Sequence, residues 1–106
     1  MQTNKDYILT QIKEIIKQHA PEAKVYLYGS RSRGTSKKHS DYDLLILLNK
    51  DHISPDTEQQ ITSPLYDLEF NTGEIISPMI YSQQEWYNKY RQTSYFKNVM
   101  RDGILL

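Results

Sequence analysis

A chain of 106 residues has room for one compact domain built around a single hydrophobic core. Apolar residues supply 38% and charged residues 25%, which excludes a disordered polyelectrolyte, and thirteen bases balance thirteen acids, so no global field draws in nucleic acid or an anionic membrane. The absence of cysteine excludes a disulfide scaffold and any thiolate zinc site.

In chain order, residues 4–19 place Ile8, Ile12, Ile15 and Ile16 at helical spacing, with Asn4 as a suitable N-cap and Pro21 stopping the helix. Lys24–Tyr28 is a short β-prone run ending at Gly29. After a polar stretch comes Asp41–Leu48, apolar on both faces beyond its first three residues, which predicts a central, covered strand. Ser54 and Pro55 read as the N-cap and first residue of a helix that Pro64 ends. Residues 65–70 alternate, with Tyr66, Leu68 and Phe70 on one face and Asp67 and Glu69 on the other, which predicts a third strand; a helix over 65–72 is the alternative.

A turn at 71–73 makes residues 74–82 the hairpin partner of that strand, with Pro78 marking an edge or a bulge. Ser82 and Glu85 form a capping box for a helix carrying Trp86, Tyr87 and Tyr90. Gly103 stops the last helical stretch before an apolar tail, 104–106. Nine tyrosines are many for this length, and the aromatics from Tyr81 to Phe96 read as core, with a partner-docking surface as the alternative. The three histidines lack metal-like spacing. No segment approaches the length of about 20 apolar residues that spans a bilayer. The N-terminus also lacks the apolar stretch of a signal peptide. The expectation is a soluble, cytoplasmic single domain over 1–106.

The neutral total conceals an uneven layout. Residues 1–50 hold nine bases against five acids, residues 51–88 seven acids and no Lys or Arg, and residues 89–106 four bases against one acid. The basic part surrounds the segment with the richest chemistry. Asp41 and Asp43 sit at i and i+2 of a strand, so their carboxylates share one face about 6.5–7 Å apart and can converge on a hard cation. Magnesium prefers a few carboxylates plus substrate phosphate oxygens to a full protein cage. An uncompensated acid pair beside five apolar residues is costly, so a metal or the nearby arginines must neutralise it. A strand that ends in Gly29-Ser30 and turns offers backbone N–H groups to a phosphate, and glycine lets the backbone approach the ligand. Arg31 or Arg33 can clamp a phosphate bidentately, whereas Lys37 and Lys38 suit solvent.

Neither Gly-Ser nor Asp-x-Asp is specific alone; strand, Gly-Ser, ten residues with Arg and Gly, Asp-x-Asp and a second apolar strand, in that order, are. The run from Gly29 to Ile46, with its strands covering 25–48, resembles the signature of the minimal nucleotidyltransferases of the DNA polymerase β superfamily. Residues 80–86 and 98–105 are more loosely similar to stand-alone members. The resemblance implies an α/β (α+β) fold: a small mixed β-sheet backed by helices, like the palm of polymerase β. It implies transfer of a nucleoside monophosphate, AMP from ATP above all, to a hydroxyl, with two Mg²⁺ ions. Carried onto this chain, Gly29 and Ser30 hold the triphosphate and Asp41 and Asp43 bind the metals. Ser40 steadies the loop, and Asp67, with Glu69 as runner-up, supplies the third metal-binding and catalytic carboxylate. Stand-alone members pair with a HEPN-domain toxin, so the resemblance implies an antitoxin that modifies a partner hydroxyl such as a tyrosine. The alternative is a catalytically weak or inactive protein of the same fold that masks its partner. No direct nucleic-acid binding and no membrane association are expected.

Overall fold

The computed structural model describes residues 4–32, 34 and 41–106. Helix α1 (Asn4–His19) forms where the isoleucine spacing predicts it; Ile8, Ile12 and Ile16 are buried while Lys13, Glu14 and Lys17 face solvent. Strands β1 (Lys24–Tyr28) and β2 (Tyr42–Leu48) pair antiparallel, with Leu27 opposite Leu44 and Tyr28 opposite Asp43. As its apolar run predicts, β2 is covered on both faces, and Leu44, Leu45, Ile46 and Leu47 are all buried.

The strand predicted over 65–70 is instead part of a long helix, α2 (Pro55–Thr72). Ser54 caps it as expected, its Oγ accepting from the Thr57 N–H at 3.2 Å, and Gly73, at φ 77°, ends it with its N–H on the Glu69 carbonyl. Pro64 lies inside the helix and does not stop it. A proline in a helix interior costs about 3 kcal/mol. Continuing the helix buries Ile61, Leu65 and Leu68 at helical spacing, and each such side chain contributes about 1.5–3 kcal/mol, so burial wins. Tyr66 and Phe70, which produced the strand-like alternation, stand outside, Phe70 at 89% exposure. Replacing Ser54 with alanine is expected to lower stability by about 1 kcal/mol in a urea titration, since it removes the cap together with the bond its hydroxyl donates to that of Thr57.

Because 65–70 is helical, the predicted hairpin does not exist. Strand β3 (Ile76–Ser82) runs parallel to β2, with α2 as the crossover and Asp43 beside Ser77 in the register. Pro78 is accommodated because β3 is an edge strand. The apolar tail forms β4 (Ile104–Leu105), antiparallel to β1, giving the order β3-β2-β1-β4.

Helices α1 and α2 cover one face of this mixed sheet around Val25, Leu27, Tyr42, Leu44, Ile46 and Ile76. Helices α3 (Gln83–Lys89) and α4 (Ser94–Asp102) cover the other around Leu45, Leu47, Val99 and Trp86. The capping box is present: Ser82 Oγ accepts from the Glu85 N–H at 3.0 Å. Of the late aromatics Trp86 is buried core and the others are partly buried against it, with the Phe96, Tyr95 and Tyr81 rings 5.0, 5.4 and 5.7 Å from Trp86. Among the described residues no helix is long and apolar enough to cross a membrane.

Candidate active site

Strand β1 ends at Tyr28 and the chain turns through one 3-10 turn, Gly29–Arg31. Ser32 closes it, its N–H and hydroxyl both donating to the Gly29 carbonyl at 3.2 and 2.8 Å. Gly29 has φ 76°, the left-handed region that other residues rarely adopt. Space makes the same demand. A Cβ on Gly29 would run into Oδ2 of Asp43, whose Cγ would lie 3.3 Å from it. The antiparallel register that sets Tyr28 opposite Asp43 therefore lays this carboxylate directly against the turn.

Asp41, just before β2, lies on the same face as Asp43 by strand alternation, and that face continues into Leu45, Leu47 and the Trp86 cluster. Tyr42 between them points the other way into the α1–α2 core, its N–H held by the Ile75 carbonyl at 2.8 Å. From β3, the Ser77 hydroxyl donates to Oδ2 of Asp41 at 3.2 Å. The structure thus sets Asp43 against Gly29 and Ser77 against Asp41, with Ser30 next to Gly29 in the turn.

Other expected residues are placed elsewhere. Asp67 is exposed on α2, across the sheet from the acid pair, because residues 65–70 are helical; it is not a third carboxylate on the neighbouring strand. Glu69 ties down the approach to β3, its Oε2 accepting from the Ile76 N–H at 2.8 Å. Arg31 is buried with its guanidinium 3.8 Å above the Tyr42 ring and 3.7 Å from Glu74, so it braces the face opposite the acids and does not stand over them as a phosphate clamp. Arg33 and Ser40 lie outside the described residues, as do Lys37 and Lys38.

Tyr28 and Tyr95 border the acids unannounced by the motif. Tyr95 donates its hydroxyl to that of Tyr28 at 3.0 Å. Burial pushes both phenols above their ordinary pKa; the hydrogen bond to Tyr28 pushes Tyr95 further up, and the Asp43 charge adds to the rise in both. Above the ordinary phenol pKa of 10.0, the unfolded chain loses a proton that folded Tyr95 keeps, so stability from this group is complete below that pH and declines above it. Tyr95→Phe is therefore expected to flatten the fall of unfolding free energy with pH on the alkaline side, measured by urea titrations on both sides of pH 10.0.

Two carboxylates and a hydroxyl are hard oxygen donors that fit a magnesium ion whose remaining positions go to phosphate oxygens and water. The glycine cradle beside Asp43 leaves the backbone bare where such phosphates would approach. Among the described residues no group of three or more His, Cys, Asp or Glu side chains forms a metal site.

A helix-backed mixed sheet with a glycine turn against paired aspartates has the architecture of the nucleotidyltransferase class. The family model for the nucleotidyltransferase domain matches residues 9–97, and the chain belongs to that family. Among solved structures it is similar to a toxin–antitoxin crystal structure with AMP-PNP, at TM-score 0.61 and 19% identity over 91% of this chain and 69% of that one. It is also similar to two variants of the toxin–antitoxin MntA-HpeT. One, with a tyrosine exchanged for alanine, gives TM-score 0.56 and 18% identity over 92% and 69% of the two chains. The other, with two aspartates two positions apart exchanged for glutamate, gives 0.59 and 15% over 91% and 69%. At these identities the likeness shows the fold. No curated protein matches the chain significantly.

Proposed function

We propose that this protein is a magnesium-dependent nucleotidyltransferase antitoxin, moving AMP from ATP to a hydroxyl, a tyrosine among the candidates, of a HEPN-type partner toxin. The observation that carries this reading is the seating of the Asp43 carboxylate against Gly29, with Asp41 on the same face. Family membership supports the transfer class. The solved neighbours support the antitoxin role, because they are toxin–antitoxin structures, one of them with AMP-PNP.

In this reading the acceptor oxygen bonds to the α-phosphorus as the bond to the departing pyrophosphate breaks, and the acceptor proton is released. Asp41 and Asp43 hold the magnesium, which when bound neutralises charge on the triphosphate and the leaving pyrophosphate. Gly29 and Ser30 hold the triphosphate beside them, and the rigid β1–β2 pair fixes their spacing. Tyr28, Tyr95 and the aromatic core exclude water from one side of the acids.

Partner masking without transfer is the second reading, favoured by a pair of carboxylates with no third in reach among the described residues. Incubation with α-labelled ATP, magnesium and the toxin separates the two. Label on the toxin that disappears with Asp41→Ala or Asp43→Ala is expected; inhibition of the toxin without label, surviving both substitutions, would establish masking instead.

A further inference from the structure

Ser77 has no counterpart among the residues that the sequence motif marks, yet it reaches the acids from the third strand. Its hydroxyl donates to Oδ2 of Asp41, and its backbone lies beside Asp43 in the parallel register, so it faces both carboxylates from one side. We infer that Ser77 completes this site as a positioning residue: it fixes Asp41 and, by adding no charge, makes the site take a divalent cation together with nucleotide and not ahead of it. The inference rests on reading the acid pair as a metal–nucleotide site.

The physical argument concerns charge and donor number. Two carboxylates with a neutral hydroxyl match a divalent cation's charge but fill few of its coordination positions, so the free ion gains little over its hydration shell. Triphosphate oxygens supply the missing donors and charge together. Cation and nucleotide then bind cooperatively, each raising the affinity for the other by the same factor. The hydrogen bond from Ser77 removes rotational freedom from Asp41, which stands just before the regular strand.

Manganese titrations followed by EPR, with and without AMP-PNP, test this on the full chain. Ser77→Asp is expected to bind Mn²⁺ alone about tenfold more tightly than the parent, because it raises the ligand charge count. The similarly shaped but neutral Ser77→Asn should show no such gain. Ser77→Ala should weaken Mn²⁺ binding in the presence of AMP-PNP by about tenfold, the loss typical of removing a partner that orients a ligand. This arm carries the test even where the aspartate variant fails to fold. Parent and Ser77→Asp binding bare Mn²⁺ equally, or Ser77→Ala matching the parent with AMP-PNP, would overturn the inference while nucleotide-dependent Mn²⁺ binding that requires Asp41 leaves the functional reading intact. A parent that takes no Mn²⁺ with AMP-PNP, or an Asp41→Ala variant that binds as the parent does, sinks both.

Discussion

Exchanging Asp43 for asparagine is expected to reduce transfer of label from ATP by about a hundred- to a thousandfold, the scale of losing a group that stabilises transition-state charge. Asparagine keeps the planar outline that fits against Gly29, so the turn and the β1–β2 register survive and the melting temperature stays near the parent's. What disappears is the negative charge that, on the proposed function, would hold the cation against the triphosphate. Asp43→Glu should fail almost as badly for a different reason. The carboxylate already lies where a Cβ on Gly29 would be, so the turn has no space for an added methylene. Single-turnover label transfer measures both, and substantial transfer by Asp43→Asn would remove this aspartate from the chemistry.

The same local geometry explains which parts of the site are legible in the sequence. Gly29, Asp41 and Asp43 are linked by one antiparallel strand pair, and strand alternation alone dictates that the two acids share a face. Arg31 belongs to the same short stretch but turns to the other face. Its neighbour Tyr42 carries the opposite parity from the acids, and its buried ring provides the platform for the guanidinium. Proximity in sequence to a charged motif therefore does not decide which face an arginine serves. Ser77 is illegible for a different reason: its position beside Asp43 depends on a parallel pairing, which in turn depends on the nature of the segment between β2 and β3. Reading 65–70 as a strand replaces that pairing with a hairpin between 65–70 and 74–82 and makes Asp67 the candidate third acid. The apolar residues Leu65 and Leu68 fit a period of 3.6 in register with Ile61, and the burial of all three decides the matter. The competing two-residue alternation drew on Tyr66 and Phe70, whose exposure shows that they contribute no core.

Trp86→Ala is expected to cost about 3–5 kcal/mol, against the total of about 5–15 kcal/mol that holds a domain together. The indole is completely buried and lies between the sheet and the α3–α4 layer, in ring contact with Tyr81, Tyr90, Tyr95 and Phe96. A void there deprives these four large side chains of a packing partner that no small shift can restore. Among the described residues its Nε1 has no hydrogen-bond partner, so Trp86→Phe loses volume without breaking a polar contact and should cost markedly less than alanine. Phe70→Ala provides the contrast: 89% exposed, it should change stability by no more than about 0.5 kcal/mol. The tryptophan change should reach the acids as well. Tyr95 packs edge-on against the indole and bonds to Tyr28, whose register partner is Asp43, so loosening the cluster frees one wall of the site. Urea unfolding of the three variants measures the stabilities. Equal stabilities of Trp86→Ala and Phe70→Ala would mean that the α3–α4 layer does not depend on this indole.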